Sequence, residues 1–443
     1  MSDLIREIED LELDGRTKGL PLGRNTIRLG DIGRQGWNIL KGDLPLPVLT
    51  LRDSAVRQNL SVMREFVEFH GVSVAPHGKT TGAPQLHCQQ TAEGGAWGFT
   101  AATCQQAAVI AASGVRNVLL ANQLVIRANI EQYVRLHRDY PEVNFICLVD
   151  SPAGVGRLAR YARPHLPPGV RLSAMVEVGA ARARAGARTP ALAEQVIRAI
   201  LAAGDALRLV GIECYEGAIA RETPEATLGA IDALLDFAAA SYAKARDLGS
   251  FAGLTETYLS AGGTLYFDEV VRRWEGLRST PGLRIVLRTG AYLALDHGFY
   301  LRNAKAMDKR GGISLKAGPV EATKAFKPAL ELWAAVQSAP EPGLAIMSMG
   351  MRDLPYDIEL PIPLKHYRDG VMIRDLWGGD APYRIVKAND QHTFLNYPEG
   401  ADIAVGDVMS FGISHTSTAF DKWDVVFRID DDHNVTGAIK TLF

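Results

Sequence analysis

Val72–Pro84, VSVAPHGKTTGAP, opens with a short apolar run and then breaks into small and polar residues. The run reads as a strand, and His77 to Gly82 read as the turn that ends it. Such a turn puts the Lys79 amine at the end of a strand, two residues after His77. Glycines on either side let a ligand approach the backbone closely. A partly desolvated lysine sheds its proton and attacks a carbonyl carbon to form a Schiff base.

Working outward from this turn, one rhythm holds from Val72 to Gly290. The apolar runs VSVAP, WGFTA, NVLLAN, NFICLVD, LSAMVEVG, LVGIECYEG, TYLSAGG and RIVLRTG alternate with Ala-rich helical segments such as CQQAAVIAASG and LAEQVIRAILAAG. Near-continuous apolar strands separated by helices predict parallel strands buried on both faces. Eight such units over about 220 residues predict a closed (β/α)8 TIM barrel. An open doubly wound sheet would carry a GxGxxG first turn, and VSVAPHGKTTG is not one.

After Tyr300 the rhythm stops. GPVEATKAF, LELWAAVQS, LAIMSMG, VMSFGIS, WDVVFRID and VTGAIKTL are strand-like, with turn clusters PEPG, LWGGDAP and DDDHN between them. No helical period shows here, so a second, mostly antiparallel β domain is expected. The expected division is a barrel over 46–290 and a β-rich domain over 1–45 and 291–443. Pro45 and Pro47 bracket an extended entry, LPVLTL reads as a strand, and Ser54–His70 carries apolar residues at helical spacing.

Composition narrows the class. Apolar residues make up 47% and charged residues 22% of the 443, as in ordinary globular proteins. Lys+Arg 48 against Asp+Glu 50 leaves a net charge of −2 and no basic excess for nucleic acid. No apolar run is long enough to span a bilayer. The N-terminus is acidic, unlike a signal peptide. The four cysteines form no CxxC pair, which points to a reducing, cytoplasmic setting without a zinc ribbon.

Barrel enzymes place chemistry at strand C-termini and often bind phosphate after strands seven and eight. Run seven ends in Ser260-Ala-Gly262-Gly263-Thr264 and run eight in Arg288-Thr-Gly290-Ala291-Tyr292. Both turns offer amides and hydroxyls to a phosphate. A strand-end lysine together with this phosphate cup implies pyridoxal 5′-phosphate (PLP), held by Lys79 as a Schiff base. Run five supplies Arg182, Arg184 and Arg188, one of which would face the pyridine nitrogen. Tyr215, at the end of run six, either contacts the cofactor or fills the barrel rim.

At this point the chain resembles the alanine racemase-like, type III PLP enzymes, and within them the D-serine dehydratase/D-threonine aldolase family. The resemblance lies in Pro76-His77-Gly78-Lys79-Thr80, Arg184-Ala-Gly186, Tyr215-Glu216-Gly217, Ser260–Thr264, Gly290-Ala-Tyr292, Asp296-His297, Asp390-Gln391-His392 and His415-Thr416-Ser417. It runs from about Pro45 to Trp423 and comes nearest to the longer bacterial amino-acid deaminases. It implies Lys79 as the Schiff-base residue, a homodimer, and D-configured 3-hydroxy amino acids as substrates. It also implies a divalent metal, Zn or Mn, bound by His415 and the residue at Ser417. The family carries Cys or Asp at that second position, and serine is a far poorer ligand. The family's arginine before Pro-His is Ala75 here.

The expected reaction is dehydration of a D-3-hydroxy amino acid to a 2-oxo acid and ammonia, with Lys79 as base at Cα and a metal at the 3-hydroxyl. A retro-aldol cleavage to glycine and an aldehyde, with His77 or His392 as base, is the alternative. A racemase, or a PLP-binding carrier, stands further off.

Overall fold

The computed structural model describes residues 2–377 and 383–443. The turn expected at LWGGDAP lies mostly outside them. All eight predicted runs form strands, numbered β1–β8: Ser73–Val74, Phe99–Ala101, Asn117–Gln123, Asn144–Val149, Leu172–Val178, Leu207–Cys214, Thr257–Ala261 and Leu283–Leu287. They are parallel and neighbours in chain order, and β8 returns to pair with β1. Between β1 and β2 the barrel closes through the Trp97 and Thr100 amides, which donate to the Val74 and Pro76 carbonyls at 2.9 Å each.

Alternation along each strand sorts its side chains. In β5, Leu172, Ala174, Val176 and Val178 face the helices and join the large core. Met175 faces inward with Ala75, Leu119, Ile146, Leu148, Val210, Tyr258 and Val286, a separate apolar plug in the barrel. Ala75 thus completes a dry interior layer where an arginine would need a partner.

The second domain is one large, mostly antiparallel sheet. Leu330–Glu341 lies at its centre, with Val408–Gly412 on one side and Leu344–Met347 on the other. Val48–Arg52 pairs antiparallel with Leu330–Glu341 and parallel with Val425–Ile429. That strand therefore belongs to this sheet, and the chain enters the barrel only after it rather than at residue 46. The N-terminal residues add no strand to the sheet. Their Leu29, Ile32 and Ile39 pack on Trp333 and Phe427.

The sequence reading missed the helix Phe299–Lys309, which buries Leu301, Ala304 and Met307, and the short helices Ala322–Ala325, inside GPVEATKAF, and Thr416–Phe420. The start of Phe299–Lys309 is clamped to the sheet. A Cβ at Gly412 would lie 2.5 Å from the His297 ring, and one at Gly298 would lie 2.9 Å from the Ser414 Cα. This close approach brings the second domain over the barrel mouth. Among the described residues, no helix is long and apolar enough to cross a membrane.

Candidate active site

A cavity of about 390 Å³ opens at the C-terminal ends of the strands, between the barrel and the second domain. His77, Lys79, Arg184, Tyr215, Gly263, Thr264, Gly290, Ala291, His415 and Ser417 all line it. The topology thus gathers most of the residues chosen from sequence.

Lys79 sits in a 3-10 turn, Gly78–Thr80, that follows β1. His77 caps this turn: its Nδ1 accepts from the Lys79 amide at 3.4 Å. Gly290 packs on the same turn, since a Cβ there would lie 2.8 Å from the His77 nitrogen. Burial pushes the Lys79 amine below its ordinary value, and Arg184 and Arg288 push the same way. Burial, Lys79 and the same arginines hold His77 well below the ordinary imidazole value. His77 is therefore neutral near pH 7, and it orients the lysine turn.

The cavity floor is a charged layer above the apolar plug, at inward-facing positions. Glu177 of β5, Glu213 of β6 and Arg288 after β8 line it. Arg288 pairs with Glu213 and donates to the Cys214 carbonyl at 2.8 Å. Arg288 Nε and Glu213 Oε2 are buried without a hydrogen-bond partner among the described residues. Burial pushes the Glu213 carboxyl up to about 8; Glu177 and Glu216 add to this, while Arg288 opposes it. The Arg184 and Arg288 guanidinium groups lie 4.9 and 5.7 Å from the Tyr215 ring centroid. Glu213 and Arg288 were not singled out from sequence. An acid inside an otherwise apolar strand was the available signal.

The phosphate turns differ from expectation in detail. Gly262 and Gly263 donate their amides to the buried Glu216 carboxylate, at 3.1 and 2.6 Å. Ser260 Oγ donates to the Val286 carbonyl at 2.9 Å and stays within the sheet. These three groups shape the turn and leave no donor for a ligand. The open donors lie one step on. The amides of Thr264, Leu265 and Gly290 have no partner among the described residues, and all three residues line the cavity. Thr264 Oγ1 joins the two turns, bonding Thr289 Oγ1 at 3.1 Å and accepting from the Ala291 amide at 3.4 Å. The Tyr292 side chain points away into the core, where its hydroxyl accepts from Gln90 at 3.1 Å.

The second domain supplies the opposite wall through Phe299, Tyr300, His415, Ser417 and Thr418. His415 Nδ1 lies 2.5 Å from Asp357 Oδ2, and Thr418 Oγ1 donates to Asp357 Oδ1 at 2.7 Å. Burial raises the Asp357 carboxyl, but the bonds from Thr418 and His415 outweigh it and hold it below its usual value. Asp357 is 58 residues from His415, and nothing local in the sequence marks it. His392 does not reach the cavity. It is exposed in the turn before Thr393–Asn396, where its carbonyl accepts from Asn389. Among the described residues, no three His, Cys, Asp or Glu side chains come together to hold a metal.

A barrel with a strand-end lysine, capped by an antiparallel domain, is the alanine racemase-like, type III PLP fold. The alanine racemase N-terminal domain model matches residues 52–269, and the model described as "Putative serine dehydratase domain" matches residues 329–429. The two matches follow one another along the chain in the order of the barrel and the sheet. The chain is 25% identical to a 3-hydroxy-D-aspartate aldolase of Paracoccus denitrificans, over 81% of this chain and 82% of that one. In fold it is similar to D-threonine aldolase from Filomicrobium marinum: TM-score 0.71, 22% identity, 92% of this chain and 97% of that one. D-threo-3-hydroxyaspartate dehydratase from Delftia sp. HT23 gives a TM-score of 0.67 at 21% identity, over 91% of this chain and 99% of that one.

Proposed function

We propose that this chain is a PLP-dependent lyase that converts D-configured 3-hydroxy amino acids to 2-oxo acids and ammonia. One observation carries the reading. The Lys79 amine shares a cavity with the unpaired amides of Thr264, Leu265 and Gly290 and with the unpaired Nε of Arg288. These groups fit the cofactor. Lys79 Nζ would hold its aldehyde, the three amides its phosphate, and Tyr215, Arg184 and Arg288 are left for its ring. When bound, the cofactor supplies an electron sink for the substrate's Cα.

The protein's own groups account for the rest. The two arginines and burial favour the neutral amine of Lys79, so Nζ can take the proton from Cα. Ser417, Thr418 and Tyr300 line the cavity on the side facing the barrel strands. Aldol cleavage is the second reading, favoured by the name of the Paracoccus relative.

The test is product analysis with D-serine, D-threonine and D-threo-3-hydroxyaspartate. A 2-oxo acid with ammonia is expected; glycine with an aldehyde would move the assignment to aldolase, and the enantiomer to racemase. Lys79→Ala should abolish both turnover and the cofactor's absorbance band. A Lys79→Ala protein that keeps that band would refute the role of Lys79.

A further inference from the structure

The segment His415-Thr416-Ser417 stands where the resemblance implies a divalent metal, and its donors do not fit one. His415 is the only strong ligand of the pair, since the serine hydroxyl is neutral. Asp421 lies near enough for its charge to act with those of Asp357 and His415, yet these acids and the imidazole form no metal-holding group. We infer that His415, held by Asp357, transfers the proton at the substrate's 3-hydroxyl in place of a metal ion. The inference rests on the lyase reading above.

Geometry supports it. Asp357 accepts His415 Nδ1 on one oxygen and Thr418 Oγ1 on the other. With both oxygens engaged, the carboxylate fixes the imidazole, and Nε2 is the nitrogen left without a partner among the described residues. A carboxylate behind an imidazole sets its tautomer and stabilises its protonated form. It also orients a metal-binding imidazole, so the absent second donor is what separates the two roles. The pair is held rigidly. Ser414 Oγ donates to the Glu359 carbonyl at 2.5 Å, tying the Asp357 segment to the His415 segment. Tyr300 flanks the imidazole, with ring centroids 6.4 Å apart.

The step balances without a Lewis acid. Lys79 Nζ takes the Cα proton, and the freed pair forms the Cα–Cβ double bond. The Cβ–O bond breaks with its electrons on oxygen. His415 Nε2 gives its proton to that oxygen, which leaves as water. One water later hydrolyses the enamine to the 2-oxo acid and ammonia.

The experiment uses cofactor-loaded enzyme and two substrates: the D-3-hydroxy amino acid it turns over best, and β-chloro-D-alanine, whose chloride leaves without a proton. We expect well under one metal ion per chain by elemental analysis and full activity after EDTA dialysis. His415→Ala should lose about 10²- to 10⁴-fold on the hydroxy substrate and little on the chloro substrate, with partial rescue by imidazole. Asp357→Asn, a positioning change, should lower kcat on the hydroxy substrate alone and leave KM in place. Ser417→Cys should raise metal content. Stoichiometric metal in the wild type, loss on chelation, or an equal response of both substrates to His415→Ala would overturn the inference. A wild type that turns over neither substrate would instead remove the lyase reading beneath it. The metal measurement needs no variant and so stands even if one fails to fold.

Discussion

Glu216→Gln tests whether the cofactor cradle is built indirectly. The Glu216 side chain is buried, and its two oxygens accept the Gly262 and Gly263 amides at 3.1 and 2.6 Å. Bonds of this kind to a charged group are worth about 1.5–3 kcal/mol each. Glutamine keeps the volume and one acceptor, but its nitrogen is a donor facing another donor. One bond is lost, the other becomes neutral, and one buried amide is orphaned. The sum is about 2–4 kcal/mol against the present shape of the turn. The next two residues, Thr264 and Leu265, carry open amides on the cavity wall. If that turn must be ordered to grip a phosphate, the loss falls on cofactor affinity. At 1.4 kcal/mol per factor of ten, Kd for PLP rises about 30- to 700-fold. Absorbance titration of cofactor-free protein measures this directly. Binding within threefold of wild type would refute the cradle, as would tighter binding by Glu216→Ala. Either result would mean that the glycine amides, once released, serve the phosphate themselves.

Two further predictions concern the charges around the site. His87 is buried against the Gly78 turn, and burial lowers it to about 4 from 6.5 while the Gly78 backbone opposes this. The unfolded chain therefore binds this proton first as pH falls, so stability is intact above pH 6.5 and is lost progressively toward pH 4, by about 3 kcal/mol. Urea midpoints at pH 7, 5.5 and 4.5 should fall less steeply for His87→Phe, and parallel curves would refute this. Glu213→Leu should cost about 1–3 kcal/mol by removing a buried partner of the Arg288 guanidinium. The double variant Glu213→Leu/Arg288→Met should recover most of that loss in denaturant titration while still binding PLP weakly. A double variant no more stable than the single one would show that the pair does not act as a unit.

The barrel was legible because its signal is local. A parallel strand covered on both faces must be apolar along its length, and each helix must show one apolar stripe, so eight alternations in VSVAP to RIVLRTG specify eight strands. The place of Lys79 at the cavity was legible for the same reason: a turn that ends a barrel strand lies at the C-terminal face. The helix Phe299–Lys309 was missed because its short apolar stripe, Leu301, Ala304 and Met307, was read as part of the β-rich half.

The sequence by itself thus determined the barrel, the lysine and the two turns that meet over the cavity. Tertiary structure alone decided which groups in those turns face a ligand. Gly262 and Gly263 spend their amides on Glu216, Ser260 bonds within the sheet, and Tyr292 turns into the core. It also decided that His392 stays outside while Asp357 comes to His415 across 58 residues. The physical reason is that periodicity encodes which face of an element is buried. A hydrogen bond between distant loops depends instead on where the chain returns, and no residue spacing records that.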